Sequence, residues 1–86
     1  MNSIMNIKRK SIIKSADWLM LAGKYKLTGQ EVKVAYEICK GLSDKEIQQA
    51  LGIKKGTLDS HVNRLYIKVG VNTRINLLLQ FLTDIG

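Results

Sequence analysis

The stretch Ser43-Asp44-Lys45-Glu46-Ile47-Gln48-Gln49-Ala50-Leu51-Gly52-Ile53, continued by Lys54-Lys55-Gly56-Thr57-Leu58-Asp59-Ser60-His61-Val62-Asn63-Arg64-Leu65, decides the fold. Ser43 followed by Glu46 is a capping box, in which hydroxyl and carboxylate each satisfy a free amide at a helix start. A short helix follows, Asp44 to Leu51, with Ile47, Ala50 and Leu51 turned inward. Gly52 then permits the positive φ of a tight turn. The next helix is predicted from about Lys55 to Val69, stopped by Gly70. A short helix, a glycine turn and a longer helix form a helix-turn-helix, whose second helix can enter the DNA major groove.

The second helix divides its sides by chemistry. Leu58, Val62, Leu65 and Val69 fall on one stripe and predict the buried side. Opposite lie Gly56, Ser60, Asn63 and Ile67; Thr57, His61, Arg64 and Lys68 form one flank, Asp59 and Tyr66 the other. The donor flank can follow a phosphate strand, while Ser60 and Asn63 can reach base edges. An Asn amide matches adenine and an Arg guanidinium matches guanine. Lys54 and Lys55 stand at the helix start, where free amides and the dipole favour an anion. A solvated amphipathic helix shows a polar face too; the turn, the caps and the basic flank together set this one apart.

Working outward, Thr28 and Glu31 repeat the capping box and open a helix with Val32, Ala35, Ile38 and Cys39 inward, closed at Gly41. Before it, Ile12 to Ala22 reads as a short arm helix ended by Gly23, and residues 1–10 read as loosely ordered. Beyond Gly70, Asn72 or Thr73 caps a last helix running to about Leu82. That helix has two apolar faces, one of Ile75, Leu78, Leu79 and Leu82 and one of Leu77, Phe81 and Ile85. Two apolar faces need two covers. The second cover is either the same helix of another subunit or the arm helix around Trp18. The fold class is all-α: a basic arm over residues 1–26 with a short helix, then a four-helix domain over residues 27–86.

Composition agrees. The 86-residue chain carries a formal charge of +7, no proline and one cysteine. The charge is uneven: net +5 over residues 1–27, −1 over 28–52 and +3 over 53–86. Such a balance suits a polyanion. A lone Cys39 excludes an intrachain disulfide and fits a reducing cytoplasm. No apolar run of about 18 residues predicts a membrane span, and no cleavable signal pattern opens the chain. His61 has no neighbouring ligands for a metal, no small-molecule ligand or cofactor is evident, and no nucleophile with a base or placed carboxylate pair points to an enzyme. Cys39 and Trp18 read as core residues, and Lys8, Arg9 and Lys10 as a solvated arm.

Leu27-Thr28-Gly29-Gln30-Glu31-Val32, Gly41-Leu42-Ser43-Asp44-Lys45-Glu46-Ile47, Leu51-Gly52-Ile53, Gly56-Thr57-Leu58, His61-Val62, Leu65, Lys68-Val69-Gly70-Val71 and Arg74 together resemble the LuxR-type, or GerE-like, helix-turn-helix domain. The match runs from Leu27 to Leu82, in order and at the family's spacing. The resemblance implies a four-helix domain that binds double-stranded DNA and forms a homodimer through its last helix, with Asn76, Leu77, Gln80 and Phe81 at the contact. It implies that Thr57, His61 and Lys68 touch the DNA backbone, helped by Lys45, and that Asp59, Ser60, Asn63 and Arg64 occupy base-reading positions. Lys54 and Lys55 complete the expected DNA-binding set.

Two departures stand out. Asp59 replaces a frequent lysine; an acid there could accept from cytosine N4 but repels phosphate. Lys54 replaces the usual serine cap, so that helix start lacks a side-chain acceptor. Larger relatives join this domain to a receiver or signal-binding module, and only 26 residues precede Leu27 here; the chain resembles the stand-alone members unless it is an excised fragment. The expected function is sequence-specific transcriptional regulation. The alternative is an antagonist that pairs with a larger relative.

Overall fold

The computed structural model describes residues 13–86; the basic tract Lys8 to Lys10 and the expectation of a loose start lie outside the described residues. Among the described residues there are five helices: α1 (Ser15–Tyr25), α2 (Gly29–Cys39), α3 (Asp44–Leu51), α4 (Lys55–Val69) and α5 (Arg74–Ile85).

Both expected capping boxes form. Thr28 N donates to Glu31 Oε1 at 2.8 Å and Glu31 N to Thr28 Oγ1 at 3.2 Å. Ser43 and Glu46 do the same at 2.9 and 3.2 Å. Thr73 caps α5 by accepting from Asn76 N. Gly52 turns α3 into α4 at φ 65°, a region closed to most side chains. α3 and α4 span the residues the sequence predicts.

α1 departs from its expected bounds. Gly23 does not end it; the helix continues to Tyr25 and closes at Lys26, which adopts φ 54°. Lys26 N and Leu27 N both donate to the Ala22 carbonyl, a Schellman-type closure. Running on past Gly23 brings Lys24 and Tyr25 within reach of α5. There Lys24 Nζ donates to Asp84 Oδ1 at 2.8 Å and the Tyr25 hydroxyl donates to Asp84 Oδ2.

That docking answers the question of the second cover on α5. Trp18 stands edge-on to Phe81, and edge-on to Tyr36 of α2. Leu77 and Phe81 are 0% exposed and lie in the same core as Leu21, Val34, Ile38, Ile47, Leu58 and Leu65. The expectation that Leu77 and Phe81 meet a second subunit is therefore overturned: the protomer buries them itself, beneath α1. The apolar residues α5 leaves outside are Ile75 (66% exposed), Leu79 (55%) and Leu82. Of the other two residues expected there, Asn76 is exposed and Gln80 is half-buried, donating to Asp84. Arg74 holds the start of α5 to the α2–α3 corner through the Leu42 carbonyl and the Asp44 carboxylate.

Candidate nucleic-acid interface

α4 is anchored by Leu58, Leu65 and Val69, all buried. With those three fixed inward, helical geometry dictates what points out. Gly56, Thr57, Ser60, Asn63, Arg64 and Ile67 are exposed and His61 is half-buried. Ser60 and Asn63 thus stand exposed on the side of α4 opposite its buried stripe, the side a major-groove helix turns to the bases. Ile67, 71% exposed, extends that row at i+4 from Asn63.

The start of α4 has an open end. Lys54 is its N-cap and makes no side-chain capping bond, as with Lys14 at α1 and unlike Thr28, Ser43 and Thr73 at α2, α3 and α5. Its first-turn amides are left for water or an anion. Lys45, on α3, and Lys54 are exposed, as is Arg64; among the described residues none of the three has an ion-pair partner.

The remaining cations of the expected set are engaged within the chain. Lys55 Nζ lies 2.9 Å from Asp59 Oδ2, one turn along α4. This bond and Asp59's charge raise the Lys55 pKa above its ordinary value. Lys68 Nζ turns to α2, donating to Glu31 Oε1 at 2.7 Å and to the Lys26 carbonyl at 2.9 Å. Burial pushes the Glu31 carboxyl up, but the Lys68 ammonium and the Thr28 N–H outweigh it and hold the pKa below the ordinary value. Helical spacing puts Lys68 in line with Thr57, His61 and Arg64, yet its long side chain reaches back to the body. Glu31 is 37 residues away, so no local pattern signals the pairing; a glutamate on the inward side of a helix was the available hint.

Among the described residues, no group of three or more His, Cys, Asp or Glu side chains is placed to hold a metal ion. Burial pushes the Cys39 thiol up to about 12, which leaves it protonated and unreactive near neutrality. No helix among the described residues is long and apolar enough to cross a membrane.

Against this geometry, comparison with known proteins is decisive. The family pattern described as "GerE: Bacterial regulatory proteins, luxR family" matches residues 25–80. The chain belongs to the LuxR family of bacterial regulatory proteins. Its α3–turn–α4 unit is the LuxR-family DNA-binding helix-turn-helix. Within the same family, the nitrate/nitrite response regulator protein NarP of Escherichia coli (strain K12) is 35% identical over 60 residues, covering 70% of this chain and 28% of NarP. The chain thus spans 28% of that relative's length. No solved structure matches.

Proposed function

We propose that this LuxR-family chain is a sequence-specific transcriptional regulator that binds double-stranded DNA as a homodimer, with α4 in the major groove. The observation that carries the reading is the exposed pair Ser60 and Asn63 opposite α4's buried stripe, with exposed Arg64 on the adjoining flank. In this reading Asn63 and Arg64 pair with base edges and Ser60 approaches alongside. Lys45, Lys54, Thr57 and His61 hold the phosphates, with the open first turn of α4 between them. Lys55 and Asp59 act as a pair at the groove edge, where Asp59 can accept from a cytosine amine.

The homodimer forms through the outer side of α5, where Ile75, Leu79 and Leu82 give the apolar centre and Asn76 the polar rim. Gln80 adjoins it while holding Asp84. The protein works in the cytoplasm, where its DNA is. If Lys45 and Lys54 of both protomers each neutralise one phosphate, the log–log salt slope is about −4.

Selection of bound duplexes from random-sequence DNA tests this, run beside a mass measurement of the free protein. A recovered two-half-site sequence and a dimeric mass support the reading. The second reading, an antagonist that pairs with a larger relative, draws on the self-engagement of Lys55 and Lys68, which takes two cations from the DNA side. Recovery of no sequence, with a tight complex to a longer LuxR-family regulator, would favour it.

A further inference from the structure

Three separate pieces of the fold meet at one ammonium. Lys68 is the penultimate residue of α4. Its Nζ donates to Glu31 Oε1, the oxygen that also accepts from Thr28 N and completes the α2 capping box. The same Nζ donates to the carbonyl of Lys26, the described non-glycine residue with positive φ and the closure of α1. With Lys68 in place Glu31 is 1% exposed, and the Lys68 ammonium is the cation its carboxylate meets. A phosphate that drew Lys68 outward would leave a buried carboxylate without its counter-charge, an arrangement proteins avoid.

We propose that Lys68 is a positioning residue, which seats the recognition helix on α2 and on the α1–α2 corner and gives its charge to that joint rather than to a DNA phosphate. The inference rests on α4 being the DNA-reading helix. It goes beyond that reading, because it reassigns a cation on α4's DNA-facing flank to the joint between α4 and α2.

The two roles predict opposite effects of Glu31→Gln. If Lys68 gripped a phosphate, removing its competitor would tighten binding to every duplex. If Lys68 positions α4, the same change loosens the joint and weakens specific binding, although the protein gains positive charge.

The test uses the full chain, Glu31→Gln and Lys68→Met, at a temperature where circular dichroism shows each folded. The probes are a duplex that the wild type recovers from random-sequence DNA and a scrambled duplex of equal length, over a salt series. We expect both variants to lose about tenfold or more on the recovered duplex and distinctly less on the scrambled one. The Lys68→Met salt slope should match the wild type. A slope shallower by about 1 per protomer in Lys68→Met, or unchanged or tighter binding by Glu31→Gln, overturns the proposal.

If Lys68→Met does not fold, Lys68→Arg replaces it. A phosphate grip survives that exchange, whereas a joint fitted to one carboxylate oxygen and one carbonyl does not. Weaker binding at an unchanged slope supports positioning, and unchanged binding overturns it. If the wild type recovers no sequence, the DNA reading itself fails, yet amide hydrogen exchange on Glu31→Gln still decides Lys68. Faster exchange at Lys26, Leu27 and the last turn of α4 supports the joint; unchanged exchange overturns it.

Discussion

Trp18 of α1 meets Phe81 of α5 edge to face, with ring centroids 5.7 Å apart and planes crossed at 82°. Edge-to-face contact sets the positive rim of one ring against the negative face of the other, which adds to the area buried. The contact joins the first described helix to the last, and it decides which side of α5 stays outside.

Trp18→Ala should therefore cost about 3–5 kcal/mol of folding stability, the usual range for emptying a large aromatic site. Trp18→Phe should cost much less. It keeps a ring against Phe81 and removes an indole N–H that is buried without a partner. Urea unfolding followed by circular dichroism measures both; equal losses would show that the contact adds nothing specific.

The outer side of α5 yields a contrast between neighbours. Leu79→Lys should leave stability within about 0.5 kcal/mol, because Leu79 is largely exposed, while abolishing the dimer. Phe81→Lys should unfold the chain. Sedimentation equilibrium and thermal melts together check the pair; a dimeric Leu79→Lys protein would move the contact elsewhere.

On α4, Asn63→Ala should change which duplexes are selected, at about 1–3 kcal/mol between best and altered sites. Lys54→Ala should instead weaken all duplexes alike and flatten the salt slope by about 1 per protomer. Fluorescence anisotropy on a panel of single-base variants separates the two patterns.

Asp59→Asn removes the acid that holds Lys55. Non-specific DNA affinity should rise and the salt slope steepen, because a cation is released and a repulsive charge is lost. Titration with a scrambled duplex is the measurement; an unchanged slope would mean that Lys55 lies clear of the phosphates.

Acid should loosen the molecule at two points. Burial pushes both Glu31 and Asp84 up, but their partners outweigh it: Lys68 and Thr28 for Glu31, Lys24, Tyr25 and Gln80 for Asp84. A folded-state pKa below the unfolded value contributes stability that is present above the unfolded value and lost as pH falls through the folded one. Melting temperature should hold from neutrality to about pH 4 and fall below it. Glu31→Gln and Asp84→Asn should each flatten that fall.

Local chemistry made most of the fold legible. Thr28 with Glu31, Ser43 with Glu46, and Gly52 act over a few residues, so the sequence places α2, α3 and α4 closely. α1 runs past its expected end because Gly23 has the chemistry of a stop without acting as one. A glycine inside a helix costs only about 1 kcal/mol, and burying Trp18 and Leu21 while tying Lys24 and Tyr25 to Asp84 outweighs it. The exposure of Ser60 and Asn63 opposite the core was legible because it follows from which residues of one helix are apolar. What covers Leu77 and Phe81 was not. Both possible covers are apolar helices, and a hydrophobic pattern says that a face is buried without saying by what. The bond from Lys68 to Glu31 was not legible for a related reason: its partner lies on another helix, beyond any spacing rule.

The family pattern spans residues 25–80, and the core does not. Trp18 and Leu21 lie before it, Phe81 and Asp84 after it. A polypeptide trimmed to that pattern would keep α4 but lose both halves of the aromatic seam and the carboxylate beside it, opening the core they close. Such a fragment should aggregate. The packed unit is longer at both ends than the pattern by which it is recognised.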